Sequence, residues 1–423
     1  MINKGCSLEG LAMRSSGAAT GTRATTQACS ISTGIGETTA TTTCLSADPS
    51  DHSLDVGMPT EGSILVESIP EVTPKARQQA KPKTAAGPKG AAVESGSDFY
   101  QMTMLDNLFL CWRNARKNKT SSLRVQRFDA DPLSYLLKIQ QRLRDRSYTF
   151  GPYKTFTVRE KKWRDVVDAP MKDRVVHWML YSYLLPIWRP RFIHDTFGNL
   201  PNRGTHAAIQ RLADFCRAEG TEWVLQIDIS KYFYAIPHST LKEKTLRYVG
   251  DHDVRQLMCN LIDSFCTGSQ YDNLFHPASP YRTTPAKGMP IGNLTSQLFA
   301  NIYLNDFDHW VKEKLRIKHY IRYVDDIVIL GKSKAELQAI CFLLASELNK
   351  LGLTVHPKKI RIAHAAAGIP FLGYVVWPRH VSAGQRIRRR YHYRLREHEA
   401  GVIDRAHALN SYRAALKHTG STI

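Results

Sequence analysis

The stretch His319-Tyr-Ile-Arg-Tyr-Val-Asp-Asp-Ile-Val-Ile-Leu330 sets two adjacent carboxylates, Asp325 and Asp326, between short apolar, β-branched runs. The pattern predicts two strands closed by a tight turn and buried on both faces. The turn holds no Gly or Asn, the residues that such turns usually require. Two unpaired carboxylates in a buried hairpin would cost several kcal/mol. A bound divalent cation would remove that cost, so the breach of local turn chemistry marks a site.

A third carboxylate, Asp228, lies in Leu225-Gln-Ile-Asp-Ile-Ser-Lys-Tyr-Phe233, at the end of an apolar strand expected over 224–229. If that strand lies beside the 319–330 hairpin, Asp228, Asp325 and Asp326 converge at one edge. Hard oxygen ligands of this kind suit Mg²⁺, which keeps several waters and takes phosphate oxygens as further ligands. Two such ions about 4 Å apart can activate an attacking hydroxyl and stabilise a leaving pyrophosphate. That is nucleotidyl-transfer chemistry.

The background charge agrees. The 423 residues carry a net charge of +20, enough chain for two or three domains with a real core. Residues 1–95 hold 8 Lys/Arg against 9 Asp/Glu, leaving 50 against 29 in 96–423. A basic part of this size points to a polyanionic partner, most often nucleic acid. The 8 cysteines are scattered with no CxxC pair, which argues against a zinc finger or ribbon and for reduced thiols in a cytoplasmic setting. No apolar run is long enough to span a membrane, and no signal core opens the chain.

Composition also divides the chain. Residues 1–95 are rich in Thr, Ser, Ala and Gly, with a Pro/Lys run over 74–89, and are expected to be disordered. The functional start is then nearer Met102 or Met104. Periodicity predicts helices over 105–117, 132–146, 174–185 (ended by Pro186), 238–249 and 254–265, a long helix over 293–315, and a helix over 333–350. Strands are expected over 150–158 and 224–229, in the 319–330 hairpin, and near 353–355 and 370–376. The order through 224–376 suits an open sheet backed by helices on one face, similar to a ferredoxin-like split βαβ layout. The basic stretch 385–418 reads as helical.

At this point the residues resemble a known family. Tyr323-Val-Asp-Asp326 resembles the YxDD signature of reverse transcriptases, and Asp228-Ile-Ser-Lys-Tyr-Phe233 resembles their first palm motif. Gly288-Met-Pro-Ile-Gly-Asn-Leu-Thr-Ser-Gln297 sits where these enzymes carry a Gly-rich motif leading into a palm helix. From the residues alone, Gly292 lets backbone approach a substrate, and Thr295 or Ser296 can cap the helix. Lys162-Trp-Arg164, Pro170 to His177 and Phe197 to His206 are similar to the fingers motifs. Leu351 to Ile360 resembles the motif whose Lys protonates pyrophosphate, with Lys359 the better match and Lys358 its neighbour. Phe371-Leu-Gly-Tyr374 resembles the primer-grip hairpin.

The resemblance implies an α+β chain with a right-hand polymerase fold: fingers, a ferredoxin-like palm and a helical thumb. Its divisions would be the extension 1–95, N-terminal helices and fingers 96–222, palm 223–376 and a short basic thumb 377–423. It implies an RNA-directed DNA polymerase using two Mg²⁺ ions, with Mn²⁺ as the alternative, at Asp228, Ile229, Asp325 and Asp326. Asp228, Asp325, Asp326 and Lys359 would be the catalytic residues. Lys162, Arg164, Arg174, Phe233, Gly292 and Gln297 would meet the dNTP; Arg suits bidentate phosphate contact. The Phe233 ring would clash with a ribonucleotide 2′-OH. Ile291, Asn293 and Ser296 would bear on the template base and fidelity. Tyr323, Phe371, Leu372, Gly373, Arg386, Arg388 and Arg389 would hold primer and nucleic-acid backbone.

Within the family, group II intron and retron enzymes typically show Gln-Gly followed by Ser-Pro. This chain has Ile291-Gly292 and Ser296-Gln297, a pattern similar to the reverse transcriptases of diversity-generating retroelements. That likeness implies copying of a template-repeat RNA into adenine-mutagenised cDNA from a DNA or RNA primer. It also implies a small basic accessory variability protein and a bacterial or phage gene. The 47 residues after Val376 leave no room for an RNase H or integrase domain. Intron, retron and abortive-infection types stay open as alternatives, as do template-independent or protein-primed synthesis and a nucleic-acid-binding scaffold with the same fold.

Overall fold

Alternation of buried residues builds the centre of the molecule. In Trp223-Val-Leu-Gln-Ile-Asp228, Val224 packs on one side and Leu225 and Ile227 on the other, so the strand is covered on both faces. The coordinates are a computed structural model that describes residues 96–159, 163–267 and 287–400, all within one compact unit, Gly57–Ile423. The extension 1–95, Lys162 and the end of the basic stretch beyond 400 lie outside the described residues, as does the side chain of Arg164.

Four helices lead: α1 (Asp98–Met102), α2 (Leu105–Arg116), α3 (Leu123–Asp129) and α4 (Pro132–Arg144). Asp131 caps α4 through Ser134 N, with Pro132 at the first helical position. An antiparallel hairpin follows, β1 (Lys154–Arg159) and β2 (Trp163–Asp168). The strand expected from Phe150 starts only at Lys154, because Phe150 stacks on the buried His177 ring and Pro152 lacks an N–H. Helix α5 (Met171–Trp188) runs past Pro186 rather than ending there. Pro186 is exposed, so the carbonyl it orphans can turn to solvent, while burial of Leu184 and Trp188 holds the last turn.

Strand β3 (Thr196–Phe197) and helix α6 (Thr205–Cys216) precede β4 (Trp223–Asp228). Helices α7 (Tyr232–Ala235), α8 (His238–Thr245) and α9 (His252–Asp263) follow. The long helix expected over 293–315 is divided into α10 (Leu294–Tyr303), α11 (Asn305–His309) and a π-helical turn, Trp310–Lys314. The break falls at Leu304, with ψ 5°, and the widened turn re-aims the chain toward the hairpin. Asn293 precedes the first helical residue, so Thr295 and Ser296 lie buried inside the first turn instead of capping it.

Strands β5 (Tyr320–Tyr323) and β6 (Asp326–Gly331) form the expected hairpin, α12 (Lys334–Lys350) returns over the sheet, and β7 (Arg361–His364) closes it. The sheet order is β3-β5-β6-β4-β7; β3 runs parallel to β5 and every other pair is antiparallel. Without β3, this is the order of a split βαβ layout.

The region near 370–376 is two strands, β8 (Ile369–Phe371) and β9 (Tyr374–Val376), with β10 (Val381–Ala383) beside them. Leu372 and Gly373 turn the hairpin with φ 49° and 86°. Helix α13 (Gln385–Glu399) follows. The sheet is covered on both faces, not one. Leu225, Ile227 and Ile329 join the core with Leu337, Leu344 and Leu348 of α12. Val224, Ile321, Val328 and Leu330 pack with Ala208 and Leu212 of α6 and with Phe371, Tyr374 and Val376. The small sheet is needed there because alternation leaves a second apolar face that would otherwise meet water.

Candidate active site

Register sets the centre of the site. Asp228 is the cross-strand partner of Asp326, the last pair of the β4–β6 ladder. The β5–β6 turn adds Asp325, whose backbone carbonyl accepts Ile229 N–H at 3.3 Å. All three acids therefore stand at one end of two neighbouring strands. Each is half-buried rather than enclosed, because the strands end there. Nor are they unpaired: Lys359 Nζ lies 2.6 Å from Asp228 Oδ1.

The acids open on a cleft of about 610 Å³. Lys358, Lys359, Arg361, Phe371, Leu372 and Arg386 line it together with Asp228 and Asp326. Gln226, two residues before Asp228 and so on the same face, ties the floor together. Its Oε1 accepts Arg361 Nη1–H at 2.9 Å and its amide donates to Pro370 O at 2.8 Å. Gly384 fixes the entry of α13 by donating its N–H to Gly373 O at 2.9 Å, and a Cβ there would stand 2.4 Å from that oxygen. Arg388 and Arg389 are exposed on the same helix. Gln226 and Arg361 were not singled out in the sequence; a polar side chain two residues from Asp228 in an apolar strand was the available signal.

Beneath the turn lies a second polar group, whose sequence signal is an Arg inside an apolar strand. Arg322, inside the apolar run of β5, is fully buried. It pairs with the equally buried Asp308 at 2.5 Å. Burial pulls the Arg322 pKa down, but Asp308 more than reverses this and keeps the guanidinium charged. A charge in a strand expected to be buried on both faces always needs such a partner.

Of the remaining candidates, Tyr323 stands beside the acids as the cross-strand partner of Asp326. Phe233 is half-buried on α7, and its carbonyl accepts Met289 N–H at 2.7 Å. Tyr323 places its hydroxyl 3.2 Å from Thr205 Oγ1. Arg174 is committed to the foot of the β1–β2 hairpin: it pairs with Asp168, which also meets Arg124, and its Nε donates to Ala169 O at 3.1 Å. The loop 291–293 packs on that hairpin too. Val167 N–H donates to Ile291 O at 3.1 Å. Gly292, at φ 107°, would bring a Cβ within 3.3 Å of Val167 O. Its backbone thus comes close to β2. Asn293 is buried with Nδ2 unpartnered, Ser296 is buried and Gln297 half-buried.

The donor set bears on a metal. Among the described residues no group of three or more His, Cys, Asp or Glu is gathered into a cage. Mg²⁺ does not need one, since it is typically held by one or two carboxylates plus phosphate oxygens and water. Asp228 and Asp326, in register and facing a cleft, fit that requirement. The described cysteines are free thiols, with Cys111 and Cys216 pushed up to about 12 by burial. None of the described helices is long and apolar enough to cross a membrane.

Several known proteins are similar to this chain. The family model for reverse transcriptase (RNA-dependent DNA polymerase) matches residues 152–376, more than half the chain. Protein YkfC of Escherichia coli is 29% identical over 250 residues, covering 50% of this chain and 63% of that protein. The group II intron-encoded protein LtrA of Lactococcus lactis subsp. cremoris is 24% identical over 339 residues, covering 64% of this chain and 54% of LtrA. The chain thus spans less than two-thirds of either relative. Apo telomerase from Candida tropicalis superposes with a TM-score of 0.40 at 11% identity, over 56% of this chain and 49% of that one.

Proposed function

Since this chain belongs to the reverse transcriptase family, we propose that it is an RNA-directed DNA polymerase working at the mouth of the β4–β6 ladder. The observation that carries the reading is the in-register pair Asp228 and Asp326 at a cleft whose other charged lining residues are all cationic. In this reading β3–β7 with α12 form the palm, the β1–β2 hairpin belongs to the fingers, and α13 opens the thumb. Asp228, Asp325 and Asp326, with the Ile229 backbone, hold two Mg²⁺ ions. When bound, those ions supply Lewis acidity and neutralise charge on the triphosphate. Lys359, poised on Asp228, gives a proton to the departing pyrophosphate. Phe233 excludes the 2′-OH, so Phe233→Ala admits rNTPs in the assay below; unchanged selectivity sinks that role. The template is RNA, the primer DNA or RNA.

The test is extension of a primer on RNA with dNTPs and Mg²⁺. Wild type extends, Asp325→Ala does not, and omission of template abolishes synthesis. Extension by Asp325→Ala would overturn the assignment, and extension without template would point to terminal transfer.

Within this activity we assign the diversity-generating type, supported by Ile291 and Gln297 in place of the usual pair. An apolar Ile291 cannot supply the hydrogen bonds of Gln, which loosens checking at the nascent base pair. A small basic accessory protein is then the expected partner. Ile291→Gln should lower misincorporation opposite template adenine, and an unchanged error spectrum sinks the idea. Similarity to LtrA favours a group II intron-type enzyme as the second reading. Accurate copying opposite adenine by wild type would select it.

A further inference from the structure

The turn that presents Asp325 is strained and pinned from beneath. Val324 has φ 55°, a region that β-branched residues rarely occupy. Both of its peptide groups are tied down. Its N–H donates to Phe197 O at 3.3 Å, and its carbonyl accepts Arg322 Nη1–H at 3.0 Å.

The guanidinium that reaches Val324 is itself held on three sides. Nε donates to Asp308 Oδ1 at 2.7 Å, Nη2 to Asp308 Oδ2 at 2.5 Å, and Nη1 to Asn301 Oδ1 at 3.1 Å. Asp308 accepts further bonds from Tyr320 OH at 2.5 Å and Thr196 Oγ1 at 2.7 Å. Asn301 donates to Gly198 O at 2.8 Å. Gly198 lies against the Val324 side chain: a Cβ there would stand 2.8 Å from Val324 Cγ2.

A buried ion pair gains little stability over apolar packing of the same volume. What Arg adds is a planar fork that can grip Asp308 and Val324 together, which the point charge of Lys cannot do. We propose that Arg322 is a positioning residue: braced by Asp308 and Asn301, it holds the strained Val324 turn so that Asp325 and Asp326 stand ready for a divalent cation. The identity of that cation's site rests on the polymerase reading.

The test is binding of Mn²⁺ alone, followed by electron paramagnetic resonance, with thermal melts to confirm folding. Wild type should show a Mn²⁺ site that Asp325→Asn removes. Arg322→Lys should weaken it roughly 10- to 100-fold, the usual effect of losing a group that orients metal ligands. Val324→Gly added to Arg322→Lys should recover most of that loss, because Gly adopts φ > 0 without strain. If Arg322→Lys does not fold, Asn301→Ala carries the same expectation and the same rescue. Wild-type affinity in the folded variant, a loss that Val324→Gly fails to recover, or no Asp325-dependent site in wild type would each overturn the proposal. Primer extension run in parallel separates the two readings: the expected order of Mn²⁺ affinities in a protein that never extends a primer would overturn the polymerase assignment alone.

Discussion

His177 shows what a single buried side chain does to this molecule. It is 2% exposed, stacks on Phe150 and leaves Nε2 without a partner. Burial, aided by Arg174, pushes its pKa down to about 3. Between pH 6.5 and about 3 the unfolded chain therefore binds a proton that the folded chain refuses, so stability falls as pH drops through that window. From pH 7 to pH 5 the loss is about 2 kcal/mol. His177→Phe should remove it, and urea melts at the two pH values check this; an unchanged pH dependence would contradict the assignment. At the same scale, the acids were legible in the sequence because carboxylates in apolar strands are rare. Arg322 carried the same kind of signal, and its meaning became clear only with Asp308 beside it.

Elements that bury one regular face were readable, and those shaped by long-range contacts were not. Helices α2, α4 and α9 follow their apolar periodicity. The 293–315 segment also looks periodic, yet it breaks at Leu304, and both Asn301 and Asp308 end at Arg322. Strands β2, β3, β7 and β10 were missed because they are short, polar or edge strands whose pairing, not composition, defines them. The junction of the β1–β2 hairpin with the 291–293 loop is the element-level contact most exposed to mutation. Gly292→Ala strains φ and crowds Val167 O, so it should break the Val167–Ile291 hydrogen bond. Faster amide exchange at Val167, a raised KM for dNTP and a lowered melting temperature are expected. Unaltered Val167 protection would show that the loop tolerates a side chain.

Across the whole molecule, charge and cleft act together. The excess of cations lies in 96–423, and the cleft beside the acids carries Lys358, Lys359, Arg361 and Arg386. If α13 tracks a nucleic-acid backbone, replacing Arg386, Arg388 and Arg389 with Gln should weaken binding at every sequence. The slope of log affinity against log salt should shrink by about 0.7–0.9 per lost phosphate contact. An unchanged slope would move the interface elsewhere. By itself the sequence determined the chemistry available: three carboxylates at the ends of apolar strands, a basic background and the motifs that mark the family. Only the tertiary structure decided which groups meet. It set Lys359 on Asp228, Gln226 on Arg361 and Arg322 under Val324. The physical reason is that periodicity reports which face of an element is buried, whereas ion pairs and hydrogen bonds need contact within a few ångströms. Sheet register and the bend of a helix create that contact, and neither is written in any local stretch of chain.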